Sequence, residues 1–288
     1  MYIISGTASK NIAEKLSKEL SEPLAKTVIK RFPDNECYIR ILDDLEGEEV
    51  VIVQTTYPDP NIVELLLIQN AVSEAKASEI TVVIPYFGYG RQDKKFEMGE
   101  AISAKAIATH IGLNADKVML VDPHKNHILD FFNVSAQECS PIYEMAQYLN
   151  KLNVSLILAP DKGALERVKH ASKLIGCEYD YLEKKRIDAK TIEIKTKNLE
   201  TKGKNVAILD DIISTGGTMA KAISELKKQG AKDVIAACTH GLFTGDAVNK
   251  IISAGCSKII STNTIQNEFS IVDVAPCIAK SIRKNLIK

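Results

Sequence analysis

Short apolar runs rich in β-branched residues recur along this chain, separated by segments of helical spacing, and that alternation limits its fold more than any other feature. Residues 50–54 (VVIVQ), 80–85 (ITVVIP) and 117–122 (KVMLVD) are near-continuous hydrophobic runs, the pattern of strands buried on both faces. Between them, residues 61–76 carry apolar side chains at helical spacing. The Ala-rich segment 100–111 predicts a helix that stops at Gly112. Strand–helix–strand order calls for right-handed crossovers, and hence a parallel sheet covered by helices on both faces.

The second half repeats the scheme. Residues 154–159 (VSLILA), 206–210 (VAILD) and 234–238 (VIAAC) read as strands, and 218–229 as a helix ending at Gly230. Two pairings point to an internal duplication: KVMLVDPH (117–124) with NVAILDDI (205–212), and AKASEITVVIPYFG (75–88) with QGAKDVIAACTHGLF (229–243). A chain of 288 residues is long enough for two ordinary domains. The boundary is expected near residues 140–144, and a last helix over 275–286 is free to pack back on either half.

Charge narrows the function. Lys+Arg and Asp+Glu both count 37, so no net charge draws the chain to nucleic acid or a membrane surface, and any anion site must be built locally. The six cysteines (Cys37, Cys139, Cys177, Cys238, Cys256, Cys277) form no C-x-x-C pair, which argues against a zinc site or disulfide framework and for the reduced thiols of a cytoplasmic protein. The start, MYIISGTASKNIAEKL, lacks the basic-then-apolar order of a signal peptide. No apolar run approaches the roughly 18–20 residues that span a bilayer.

The chemistry concentrates in residues 206–218, VAILDDIISTGGT. An apolar strand runs into Asp210-Asp211, and Ser214-Thr215-Gly216-Gly217-Thr218 leads into a helix. Two glycines let backbone approach an anion without interference from Cβ. Loop amides and the helix N-terminus then direct donors and partial positive charge at a phosphate. Ser214, Thr215 and Thr218 add hydroxyls. Two carboxylates would repel the same phosphate, so they call for another partner, and the vicinal hydroxyls of a ribose suit them. A sugar phosphate satisfies both ends of such a loop. The plainer alternative is a helix cap with a glycine turn and two acidic surface residues.

These residues resemble the phosphoribosyl diphosphate binding motif of the phosphoribosyltransferase-fold family. Other segments resemble one branch of it, the ribose-phosphate pyrophosphokinases. PYFGYGRQDKKF (85–96) is similar to that branch's ATP-binding segment, with Arg91, Gln92 and Asp93 in the matching places. RFPDNECYIR (31–40) is similar to its acidic loop, with Phe32, Asp34 and Glu36. Here Pro33 and Asn35 replace a small residue and a glycine, and Asn35 tolerates the left-handed backbone of the turn. The resemblance implies that this loop reaches the adenine pocket of a neighbouring subunit. VDPHKNHILDFF (121–132) matches the segment that supplies a histidine near the metal–ATP complex, His124, and leaves His127 a structural role. APDKGALERV (159–168) is similar to a loop whose acid, Asp161, helps hold Mg²⁺, although Ala164 stands where a glycine is frequent. EKKRID (183–188) opens a polar stretch that resembles the family's flexible catalytic loop, with Lys184 and Arg186 as its basic residues.

The resemblance therefore implies an α/β chain of two similar phosphoribosyltransferase-like domains, each a mainly parallel sheet flanked by helices. Residues 1–142 would carry the ATP-binding segments, 143–274 the ribose 5-phosphate loop, and 275–288 a C-terminal helix for which the N-terminal domain is one place to pack. It implies transfer of diphosphate from ATP to ribose 5-phosphate, with Mg²⁺ as cofactor. The ATP residues would be Phe32, Asp34, Glu36, Arg91, Gln92, Asp93 and His124. The ribose 5-phosphate residues would be Asp210, Asp211, Ser214, Thr215, Gly216, Gly217 and Thr218, with Lys184 and Arg186 catalytic and His124 and Asp161 at the metal. A cytoplasmic homo-oligomer, at least a dimer sharing its ATP site, with no nucleic-acid or membrane partner, completes the expectation. A phosphoribosyltransferase and a non-catalytic regulatory partner are the alternatives.

Overall fold

The computed structural model describes residues 1–186, 192–196 and 200–286, with side chains described for 1–183 and 200–284. It divides into two units, Met1–Ser140 with Val274–Lys288, and Pro141–Asp273.

In the N-terminal unit the order is β1 (Tyr2–Ser5), α1 (Lys10–Leu20), β2 (Thr27–Arg31), β3 (Cys37–Ile41), β4 (Glu49–Val53), α2 (Pro60–Glu74), β5 (Glu79–Ile84), α3 (Ser103–Ile111), β6 (Lys117–Val121) and β7 (Ser135–Cys139). The central sheet runs β1-β4-β5-β6-β7, every pair parallel, and β2 and β3 form a separate antiparallel hairpin. Alternate strand residues point to opposite faces. Ile4, Ile52, Val82, Ile84 and Leu120 pack against Leu65, Ile68 and Val72 of α2 and Ala104 and Ala108 of α3. Ile3, Val51, Val83 and Met119 pack on the other side with Ile12 and Leu16 of α1.

The C-terminal unit contains α4 (Ile142–Lys151), β8 (Leu156–Ala159), α5 (Leu165–Ile175), β9 (Glu178–Arg186), β10 (Ile192–Thr196), β11 (Asn205–Ile213), α6 (Gly217–Lys228), β12 (Asp233–Gly241), α7 (Ala247–Ser253), β13 (Lys258–Thr262) and β14 (Ser270–Val272). Its sheet runs β10-β9-β8-β11-β12-β13-β14, parallel except for β10 against β9. The last helix, α8 (Ala275–Leu286), belongs to the N-terminal unit, where Ala275, Ile278, Ala279 and Ile282 recur at i, i+3, i+4 and i+7 and bury against the α1 face of its sheet. Among the described residues no helix is long and apolar enough to cross a membrane.

The mainly parallel α/β architecture agrees with the sequence-based expectation, and so do the duplicated halves. Apart from α4 at the start of one unit and α8 in the other, strand, helix, hairpin, strand, helix, strand, helix, strand, strand is the order in both, and β1-β4-β5-β6-β7 corresponds to β8-β11-β12-β13-β14. One pairing needs correction. Residues 75–88 and 229–243 are counterparts, since β5 answers to β12. Residues 117–124 answer to β13, however, and 205–212 to β4. An apolar strand ending in Asp is a local pattern that several strands of one sheet can carry; only lateral order separates them.

Two further differences are local. The helix expected from residue 100 begins at Ser103, because the Glu100 carboxylate accepts the amides of Phe96 (2.7 Å) and Glu97 (3.1 Å) and closes the preceding loop. The polar stretch opening at residue 183 enters as a strand: Lys184 pairs with Ile194 and Arg186 with Ile192 in the β9–β10 ladder. Backbone pairing needs few buried side chains, so low apolar content does not distinguish a ladder from a loop.

Candidate active site

Parallel strands end together at one edge of a sheet, where ligands of open α/β folds bind. In the C-terminal unit that edge carries Asp161 after β8 and the Asp210–Thr218 segment on β11, its direct neighbour. Strand β11 continues past its apolar core through Asp210 and Asp211 to Ile213, held by pairing with β12 as far as Gly241. Both acids are therefore fixed on rigid backbone. Each turns a carboxylate oxygen back to the next amide: Asp210 Oδ1 accepts from Asp211 N and Asp211 Oδ1 from Ile212 N, both at 2.9 Å. Burial, followed by the adjacent Asp211 charge, pushes the Asp210 carboxyl up to about 8, and the Arg167 guanidinium pulls the other way without outweighing them. Asp210 is thus shifted towards its protonated form relative to an ordinary aspartate.

The two glycines of the loop serve different needs. Gly216 has φ +71°, and a Cβ there would sit 2.8 Å from the Ala247 carbonyl oxygen, so both backbone conformation and packing demand glycine. A Cβ on Gly217 would meet nothing within 4 Å. Protein packing gives no reason for that glycine, whereas close approach of a ligand does. No side chain caps α6, which leaves its first-turn amides directed at the same opening. Ser214 is half-buried, while Thr215 and Thr218 are exposed.

The loop after β12, absent from the sequence-based site, braces this segment. Leu242 and Phe243 amides donate to Ile213 O at 3.0 and 3.1 Å, Thr244 N donates to Ser214 O at 3.0 Å, and the Thr244 and Ser214 hydroxyls lie 3.3 Å apart. Phe243 takes a positive φ of 44°, a strain that collects at functional edges. The signal for this loop is a second Gly-containing turn, GLFTG at 241–245, after an adjacent parallel strand. Asp161 is exposed and caps a short 3-10 turn, its Oδ1 accepting the Gly163 amide at 2.8 Å.

In the N-terminal unit the corresponding edge brings Arg91–Asp93 and His124 together. A Cβ on Gly90 would lie 3.8 Å from His124 Cβ, and one on Gly88 would lie 2.7 Å from Thr56 O, so the 88–90 turn rests on the ends of β4 and β6. Arg91 is exposed, and the Gln92 amide group donates to Glu100 at 3.2 Å. His127 Nε2 lies 3.1 Å from Asp93 Oδ2. The second histidine of the HxxH sequence thus holds a candidate ATP residue. Phe32, Asp34 and Glu36 are not part of this edge; they lie at the exposed tip of the β2–β3 hairpin, over the start of α2, where Arg31 donates to Pro60 O at 3.3 Å. Asn35 takes φ +69° there, so asparagine keeps the turn that glycine would make. The side chains of Lys184 and Arg186, and residues 187–191 beyond them, lie outside the described residues.

Comparison with known proteins extends this over the whole chain. Residues 1–113 match the family model for the N-terminal domain of ribose phosphate pyrophosphokinase, and residues 142–274 match the phosphoribosyl transferase domain. Proteins named ribose-phosphate pyrophosphokinase from Sulfolobus acidocaldarius and Sulfurisphaera tokodaii are 45% and 43% identical to the chain, covering 98% of it and 100% of each relative. The crystal structure of phosphoribosylpyrophosphate synthetase from Mycobacterium smegmatis superposes with a TM-score of 0.86 at 26% identity, covering 99% of this chain and 98% of that one. With both halves matched in order and relatives aligned from end to end, the chain belongs to the ribose-phosphate pyrophosphokinase family of enzymes.

Proposed function

We propose that the enzyme transfers the terminal diphosphate of ATP to the anomeric hydroxyl of ribose 5-phosphate, releasing AMP. One observation carries the site assignment: the uncapped, glycine-lined start of α6 opens beside Asp210 and Asp211 on β11. The 5-phosphate would lie on the amides and hydroxyls of Ser214, Thr215, Gly216, Gly217 and Thr218. The ribose hydroxyls would meet Asp210 and Asp211, where a protonated Asp210 both donates and accepts.

Arg91, Gln92, Asp93 and His124 are assigned to ATP, with Phe32, Asp34 and Glu36 contributed by a neighbouring subunit of a homo-oligomer. The exposure of that hairpin tip supports such a role. Among the described residues no three His, Cys, Asp or Glu side chains converge into a metal cage. That fits Mg²⁺, which in nucleotide sites takes most of its ligands from phosphates and water and few from protein. Exposed Asp161, with His124, is assigned to it. When bound, Mg²⁺ neutralises charge on the phosphate oxygens. The cytoplasm is the compartment we assign.

The anomeric oxygen gives up its proton to solvent and forms a bond to the β-phosphorus while the bond from that phosphorus to the α-phosphate oxygen breaks, and charge grows on the transferred and departing groups. Lys184 and Arg186 stabilise that charge. Orientation and electrostatics carry reactions of this type. The test is AMP release from Mg·ATP with and without ribose 5-phosphate, with phosphorus NMR of the product. Ribose-dependent AMP together with a new diphosphate ester is the expected result, and ADP in its place would overturn the assignment. Lys184→Ala should lower kcat by roughly 100-fold or more with little change in ATP binding; an unchanged kcat removes Lys184 from the catalytic step.

A further inference from the structure

Cys139 ends β7 and Cys277 lies in the first turn of α8, and their sulfurs are 3.3 Å apart although 138 positions separate them in the chain. Both are buried, at 1% and 6% exposure, in the layer where α8 packs on the sheet of the N-terminal unit. All six cysteines are reduced thiols. The position of this pair along the chain gives it a consequence. The backbone leaves the N-terminal unit between Ser140 and Pro141 and returns between Asp273 and Val274. Cys139 stands just before the first crossing and Cys277 just after the second, so a bond between them closes a covalent ring that contains the entire C-terminal unit.

We propose that Cys139 and Cys277 form a reversible disulfide site that clamps the two crossings and fastens α8 to the sheet. A disulfide needs about 2.05 Å between sulfurs, so from 3.3 Å the pair must approach by about 1.2 Å. The oxidant is a small peroxide. Cys277, the more exposed of the two, attacks as thiolate; the O–O bond breaks, hydroxide leaves and is protonated to water, and a sulfenic acid remains. Cys139 thiolate then attacks that sulfur, and a second hydroxide leaves as water. Two thiols and one peroxide give one disulfide and two waters. A dithiol reductant reverses the bond. The ring restricts the unfolded chain far more than the folded one, so the oxidised form resists unfolding.

The experiment treats the intact protein with dilute hydrogen peroxide. Expected are a loss of two hydrogens in the intact mass, two fewer titratable thiols than the six of the reduced chain, and a linked peptide joining Cys139 to Cys277 in a non-reducing digest. The thermal midpoint should rise by about 5 °C or more and return on adding dithiothreitol. Cys277→Ser should remove the redox dependence, and the reduced wild-type chain serves as reference if that variant folds poorly. A link between other cysteines, or oxidation of Cys37 and Cys177 while this pair stays reduced, would overturn the site. A link that leaves the midpoint unchanged would overturn the clamp.

Discussion

In the N-terminal unit Glu64 reaches from α2 to the ends of β1 and β4. Its buried carboxylate accepts the Thr7 amide at 2.6 Å, the Thr7 hydroxyl at 2.9 Å and the Gln54 amide group at 2.8 Å, with Arg31 at 3.8 Å. The register pairs Tyr2 with Val50 there and Leu156 with Val206 in the C-terminal unit, so Thr7, Gln54 and Thr55 are the counterparts of Asp161, Asp210 and Asp211. One unit thus surrounds its own internal anion with donors. The other places three acids at the same positions, next to an uncapped helix start. The framework is common to both, and a few side chains decide whether the edge is filled from within or left for a ligand.

The largest effect should come from emptying the filled edge. Glu64→Leu strands the donors of Thr7, Gln54 and Arg31, and should destabilise the protein by roughly 3 kcal/mol, read as a lower denaturation midpoint. A midpoint within error of wild type would mean that Glu64 is not the internal anion. In the other unit, Gly216→Ala should cost about 1–3 kcal/mol through its positive φ and the Ala247 carbonyl. Gly217→Ala should leave stability intact yet raise the KM for ribose 5-phosphate roughly tenfold, about 1.4 kcal/mol. Equal behaviour of the two variants would break the distinction between a structural and a ligand-facing glycine.

Asp210 sharpens the contrast through pH. Its carboxyl is raised from 3.8 to about 8, so across that window the folded chain keeps a proton that the unfolded chain has lost, and stability falls as pH rises. Asp210→Asn cannot ionise, so its thermal midpoint should fall less than that of wild type between about pH 4 and pH 8. Parallel curves would remove the burial argument. The smallest effect belongs to Thr244→Val, which takes the hydroxyl from beside Ser214 at a cost near ~1 kcal/mol. It should raise the KM for ribose 5-phosphate a few-fold and leave kcat alone.

Much of the fold and of the site is legible in the amino-acid sequence. The buried runs at 50–54, 80–85, 117–122 and 206–210 form β4, β5, β6 and the core of β11, because apolar periodicity and strand length are properties of neighbouring residues. The 206–218 segment is recognisable for the same reason: its acids, glycines and hydroxyls act within a few residues of one another. The 178–196 ladder is not legible, because backbone pairing leaves little trace in side-chain type. The Thr244 brace also escapes, since it acts across two strands.

Local pattern along the chain therefore determined the elements, the duplication and the acid- and glycine-rich segment at 206–218. Tertiary structure alone decided which strands are counterparts, that Glu64 fills one edge from 57 positions away, that burial and Asp211 push the Asp210 carboxyl upward, and that Cys139 meets Cys277. Propensity and periodicity act over a turn or two of chain, whereas charge, burial and close contact depend on distances that only packing sets.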